Sequence, residues 1–248
     1  MANQITSPRG TQDLLPQDSY RWQYVEQKAL EIAGLFGFQE IRVPTFEHTE
    51  LFSRGVGDTT DVVQKEMYTF LDKSDRSITL RPEITAGVCR SVIQNGLLGA
   101  GILPLRACYV ASCFRYEKKQ ATRLREFHQF GLECFGPQGP SADAQVIGVA
   151  YHTLVALGVK NFRLLINSIG CPQCRKKYQE ALIEYFSAYK EELCETCLTR
   201  LEKNPMRIID CKTASCKEIA KGAPNILDFI CQECREHFEG LQRSLDLM

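Results

Sequence analysis

Residues 106–135, RACYVASCFRYEKKQATRLREFHQFGLECF, constrain the fold more than any other stretch of the chain. They read as two antiparallel strands, residues 106–115 and 124–135, joined by a charged loop. In the second strand Phe127, Gln129, Gly131 and Glu133 alternate with Glu126, His128, Phe130 and Leu132. Successive strand residues point to opposite faces, so each set occupies one face of a sheet. The face with Gln129 and Glu133 is polar and can hold a ligand. The other face carries His128 and is only partly apolar. The loop sets Arg115, Lys118, Lys119, Arg123 and Arg125 against Glu117 and Glu126. Clustered cations on a hairpin tip suit a polyphosphate. Their ordinary fate is a solvated tip. What favours a ligand is the carboxylate and amide on the adjoining strand.

The rest of the chain surrounds this hairpin with helices and short strands. The periodicity predicts a helix starting at a cap, Asp18 or Ser19, with Trp22, Val25, Ala29, Ile32, Ala33 and Phe36 as its buried stripe, stopping at Gly37. Residues 38–43 read as a strand ended by Pro44, and 67–71 and 77–81 as two more. Residues 54–57 read as a turn with no phosphate-loop lysine after it. Pro82 suits the first turn of a helix running to Asn95 and Gly96, which places Glu83 and Thr85 at a strand-to-helix junction. A further helix covers 141–157, with Val146, Ile147, Val149, Ala150, Leu154 and Val155 on its apolar side. A buried strand is expected over 162–166, ended by Asn167-Ser168-Ile169-Gly170. No apolar run reaches membrane-span length and the N-terminus lacks a signal-peptide core, so the expectation is a soluble, cytoplasmic protein with no membrane partner. The formal net charge of zero does not advertise nucleic acid.

Eight of the 12 cysteines lie between Cys171 and Cys234. They form Cys171-x2-Cys174, Cys194-x2-Cys197, Cys211-x4-Cys216 and Cys231-x2-Cys234. Eight paired thiols are enough for two tetrahedral zinc sites of four thiolates each. The rivals are small apolar packing of cysteines on helices and an iron–sulfur cluster. Which pairs share a metal stays open. Cysteine usage divides the chain near Gly170, into residues 1–170 and a helical tail, 171–248. In that tail Tyr178, Leu182, Tyr185, Phe186 and Tyr189 form one stripe, and 204–210 is a turn into an extended piece.

FRYE, the spaced Arg123 and REFHQFGLE together resemble motif 2 of the class II aminoacyl-tRNA synthetases, in the form found in the histidyl-tRNA synthetase family. The opening PRGTQDLLP, the motif-1-like GFQEIRVPTFEHTELF, LRPEITAGV and the strand end INSIG are similar to the same family. NPMRIIDCK, GAPNILDF and CREHFEGL look like its helical insertion domain. The resemblance implies an α+β fold: a class II antiparallel sheet flanked by helices, with a mostly helical, cysteine-rich insertion domain. It implies ATP-dependent activation of histidine to histidyl-adenylate and transfer to tRNA(His), with Mg²⁺, by a homodimer.

The implied roles fall on particular residues. Arg115 would meet the α-phosphate and the amino acid carboxylate, and Arg123 the outer phosphates; these are the catalytic pair. Phe127 would stack on adenine and Glu117 would meet its amino edge. Glu83, Thr85 and Gln129 would hold the substrate amino group, and Glu133 would accept a hydrogen bond from the imidazole. Lys118, Lys119 and Thr122 depart from the family's loop pattern, at the place where the end of the tRNA is expected. The family continues with a second histidine-recognition segment, motif 3 and an anticodon-binding domain, so the chain reads as ending inside the insertion domain. Two alternatives stand beside the ligase. One is a non-catalytic, histidine-sensing regulatory paralogue of ATP phosphoribosyltransferase; the other is a free zinc-bound RNA-binding module made of 171–248.

Overall fold

The computed structural model describes every residue except 1–4, 57–59, 61, 100, 102 and 118–122. The expectations for Gly57, Lys118, Lys119 and Thr122 lie outside the described residues. The chain divides into two compact units: residues 1–138 with 145–162, and residues 139–144 with 163–248. The expected boundary at Gly170 lies inside the second unit.

In the first unit the long hairpin is the frame. Strands β5 (Leu105–Phe114) and β6 (Glu126–Phe135) pair antiparallel over their whole length, and the two-residue β1 (Gln39–Glu40) adds to β5 in parallel. Period-2 alternation sorts the side chains. Phe130, Leu132 and Cys134 meet Ala33, Phe38 and Cys108 on one face, under helices α1 (Pro16–Leu35) and α4 (Pro140–Ala156). Phe127 and Phe135 join Tyr109, Cys113 and Ala107 on the other, under α3 (Thr85–Gln94). The face that looked doubtfully apolar is therefore a packed core, because two helices cover it. Each fully buried Val or Phe there is worth about 1.5–3 kcal/mol. A second antiparallel sheet has the order β2 (Phe46–His48), β4 (Ser77–Leu80), β3 (Tyr68–Leu71).

Several local expectations change. Helix α1 starts at Pro16, with Leu15 as N-cap and no side-chain cap, because proline is pre-set for the first helical position. Only Ala29 and Ala33 of its expected stripe are buried; Trp22 and Val25 are exposed. Opposite Trp22 the sheet presents His128, with the rings 4.8 Å apart, rather than an apolar core. Residues 54–56 close α2 (Thr49–Val56) instead of forming a turn. Pro82 precedes α3, which begins at Thr85. The strand after Phe38 keeps only Gln39 and Glu40. In α4, Val149 is buried, but Ala150, Leu154 and Val155 are exposed. No strand forms over 162–166, and Leu164 and Leu165 are exposed. A strand needs a hydrogen-bonded neighbour, and none borders this segment among the described residues.

The second unit packs around α5 (Pro172–Ser187). Tyr178, Leu182 and Phe186 form its buried stripe and meet Ile208, Ile226, Ile230 and four buried cysteines. The hydroxyls of Tyr178 and Tyr185 donate to the carbonyls of Pro224 (3.1 Å) and Ile219 (2.9 Å), so the polar ends of both rings are satisfied. Helices α6 (Glu195–Lys203), α7 (Ala214–Ala220) and α8 (Gln232–Asp246) complete it. The piece expected to be extended after Asn204 is a 3₁₀ turn, Pro205–Ile208. No described helix is long and apolar enough to cross a membrane.

Candidate active site on the hairpin face

The centre of the polar face is Glu133. Its Oε1 accepts hydrogen bonds from Thr85 Oγ1 (2.7 Å) and from the Tyr109 hydroxyl (3.1 Å). Among the described residues Oε2 takes no hydrogen bond, so one oxygen is anchored and the other is available. Burial, first of all, pushes the Tyr109 hydroxyl well above the usual phenol range, which keeps it a donor. Tyr109 reaches Glu133 across a gap left by small residues: its register partner is Gly131, and the partner of Glu133 is Ala107. A Cβ on Gly131 would lie 2.2 Å from the Tyr109 ring. Gly131→Ala is therefore expected to displace Tyr109 and cost about 1–3 kcal/mol by overpacking. The check is a melting curve, with a drop of several degrees.

Gln129 Oε1 accepts from Cys113 Sγ at 3.1 Å. Burial holds that thiol up at about 12, so it donates at neutral pH. A carbonyl oxygen has two lone pairs, so this contact uses one of the two. Glu83 caps α3, its Oε1 accepting the Ala86 N–H at 2.9 Å. That contact satisfies one N-terminal donor of the helix and engages one of the two carboxylate oxygens. An open cleft of about 780 Å³ runs alongside, lined by Glu83, Thr85, Ala86, Cys89, Arg90 and Leu51.

Arg115 lies at the end of the same face. Its Nε donates to the Pro82 carbonyl at 2.8 Å, and its guanidinium carbon is 5.2 Å from the Phe127 ring centroid. One carbonyl and one ring therefore fix the guanidinium, while its Nη atoms make no hydrogen bond among the described residues. Phe127 here carries Arg115. Glu117 and Arg123, assigned to opposite ends of ATP by the resemblance, pair with each other at 3.1 Å. Arg123 is largely exposed, and such a pair is worth about 0–1 kcal/mol, so a phosphate can draw Arg123 away at little cost.

Sequence reasoning missed two supporting residues and read a third, Arg125, only as one of the loop cations. Tyr109 is one. Arg81 is another: it is buried, and it donates to the carbonyls of Ser112 (2.7 Å) and Val43 (2.9 Å), tying two segments to the base of the site. Arg125 is the third. Its backbone N–H donates to the Gly10 carbonyl at 2.7 Å, and its guanidinium carbon is 3.9 Å from the Tyr116 ring centroid. A Cβ on Gly10 would meet the Arg125 stem at 2.7 Å, at a positive φ of 91°. The PRGT opening therefore docks against the hairpin base. The glycine in it was the available signal.

In the second unit the eight thiols gather into two quartets, Cys171/Cys174/Cys231/Cys234 and Cys194/Cys197/Cys211/Cys216, with the sulfurs of each within 4.8 Å of one another. This gives the pairing that spacing alone left open.

A model of the family described as histidyl-tRNA synthetase matches residues 10–174, about two thirds of the chain and all of the hairpin site. The chain belongs to the histidyl-tRNA synthetase family. It is 57% identical, over 98% of its length, to the histidine–tRNA ligase of Caldicellulosiruptor bescii, covering 57% of that protein. It is 56% identical, over 98%, to that of Clostridium novyi, covering 58%. It thus spans under three fifths of these curated relatives. Among solved structures it is similar to the apo S. aureus histidyl-tRNA synthetase, with a TM-score of 0.76 and 40% identity, covering 98% of this chain and 55% of that one. The fold is that of the class II family member.

Proposed function

We propose that the hairpin face of this chain activates histidine with ATP, as part of a histidine–tRNA ligase. The observation that carries this is the pairing of Arg115 and Glu133 on one sheet face. Among the described residues Arg115 is a held guanidinium whose Nη atoms donate to nothing, and Glu133 is a carboxylate with one anchored oxygen and one that accepts nothing.

Activation needs an amino acid carboxylate to attack the α-phosphorus of ATP while the bond to pyrophosphate breaks. Two anions must meet, and charge builds on the phosphoryl oxygens. A guanidinium fixed beforehand lowers both costs, because it does not reorganise as the charge develops. Arg115 takes the carboxylate and α-phosphate, and Arg123, released from Glu117, takes the outer phosphates. Phe127 and Glu117 hold adenine. Mg²⁺ enters as the counter-ion of ATP. Glu83, Thr85 and Gln129 receive the substrate ammonium. Glu133 Oε2 accepts an imidazole N–H; an amino acid without that donor would leave a desolvated carboxylate unpaired, which is how a donor-reading site rejects it. A hydroxyl of tRNA(His) then attacks the adenylate carbonyl, and AMP leaves.

The cysteine quartets are read as structural zinc sites. A homodimer, a cytoplasmic location and the domain division into a catalytic core, 1–170, and an insertion domain, 171–248, complete the reading. The histidine-sensing alternative is not favoured, since relatives above 50% identity over nearly the whole chain are named as ligases. The test is charging of tRNA(His) with radiolabelled histidine by the longest product of the gene. Charging that depends on ATP supports the ligase, and histidine binding without charging overturns it.

A further inference from the structure

The two cysteine quartets differ in ways that the zinc reading alone does not require. The pairing is nested. One quartet joins the two ends of the segment, Cys171/Cys174 with Cys231/Cys234, and the other closes inside it, Cys194/Cys197 with Cys211/Cys216. Three of the four pairs are built alike. Cys171, Cys194 and Cys231 are the N-cap residues of α5, α6 and α8, each in extended backbone, and the second cysteine of each pair lies in the first helical turn. Helix N-termini favour thiolates. The Cys231 N–H donates to Cys174 Sγ at 3.1 Å, and the Cys194 N–H donates to Cys216 Sγ at 3.3 Å. Cys171 and Cys174 sulfurs are 3.4 Å apart, Cys194 and Cys211 sulfurs 3.9 Å. A tetrahedral zinc with Zn–S of about 2.3 Å needs sulfurs about 3.8 Å apart; a disulfide needs about 2.05 Å. Closed four-thiolate sites that complete a small core match structural zinc.

Burial separates them. In the inner quartet Cys197 and Cys216 are fully buried and Cys211 nearly so. In the outer quartet only Cys174 is buried, and Cys231 is exposed. The outer quartet also borders a cavity of about 400 Å³, lined by Cys171, Cys234, Asn167, Gly170, Asp143 and His237. His237 and Asp143 sit 2.7 Å apart there. Gly170 packs against the outer site at a positive φ, where a Cβ would meet Cys174 Cβ at 2.6 Å. The NSIG motif thus forms one wall of the cavity beside this quartet.

We infer that the inner quartet holds an inert zinc at the heart of the module, and that the outer quartet holds an exchangeable zinc that clasps its two ends. This rests on the zinc reading of the quartets and is independent of the activation chemistry. An exposed ligand lets a chelator displace thiolates one at a time without opening the core, whereas the inner site must wait for a larger opening of the fold.

The test is metal analysis of the purified chain, then zinc release to excess EDTA followed with a chromogenic indicator. Two zincs per chain are expected, one leaving in a fast phase and one roughly tenfold or more slower. Cys231→Ser should remove the fast equivalent, keep the slow one and leave the helical circular dichroism of the chain largely intact. Two zincs leaving in one phase, or loss of both in Cys231→Ser, would overturn the clasp while keeping the zinc reading. Iron in place of zinc, or no bound metal, would overturn the zinc reading itself. Cobalt substitution gives a second readout: four-thiolate charge-transfer absorption should be halved in Cys231→Ser, and an unchanged spectrum would contradict the assignment.

Discussion

Glu133→Gln is expected to raise KM for histidine about 10- to 150-fold while KM for ATP stays within about twofold. The range converts the roughly 1.5–3 kcal/mol that a hydrogen bond to a charged group contributes. The substitution keeps the shape of the side chain. Its oxygen can still accept from Thr85 and Tyr109, which now both bond Glu133 Oε1. The amide nitrogen then occupies the position of the open Oε2, and it faces an imidazole N–H with a donor instead of an acceptor. The measurement is steady-state pyrophosphate exchange in the longest gene product, varying histidine and ATP separately. If Glu133 only braced the sheet, the two KM values would move together or not at all, and the melting temperature would fall instead.

Arg115→Ala is expected to lower kcat for histidine activation about 10²- to 10³-fold. The guanidinium is held from behind by the Pro82 carbonyl and by the Phe127 face, so its remaining donors point outward ready-made. Lysine should not restore the rate, because a compact ammonium cannot bridge a carboxylate and a phosphate oxygen as a planar fork does. Single-turnover formation of adenylate separates this from weakened binding. A normal single-turnover rate in Arg115→Ala would move the α-phosphate contact to another cation, Arg123 being the other arginine assigned to the phosphates.

What could be read from the sequence followed periodicity and spacing. The alternation along 126–135 placed Gln129 and Glu133 on one face and His128 on the other, because a strand's period of two leaves no choice. Cysteine spacing announced eight metal-ligand candidates for the same kind of local reason. What stayed hidden depends on partners far apart in the chain. The grouping of Cys171 with Cys231, the reach of Tyr109 to Glu133 over Gly131, and the docking of Gly10 on Arg125 are each fixed by tertiary approach. In two of these a glycine marks the spot: a missing Cβ lets a neighbour come close. The failed strand at 162–166 and the exposed Trp22 and Val25 make the complementary point. Apolar pattern proposes a buried element, but burial needs enough to pack against: Trp22 meets only the edge of the sheet at His128, and Val25, Leu164 and Leu165 stay exposed.

The most direct test of the account is ATP–pyrophosphate exchange with each standard amino acid in turn, on this chain and on the longest product of its gene. Exchange is expected from the longer protein with histidine alone, strongly reduced in Arg115→Ala and shifted to high histidine in Glu133→Gln. Exchange with another amino acid, or none with histidine while histidine still binds, would contradict it.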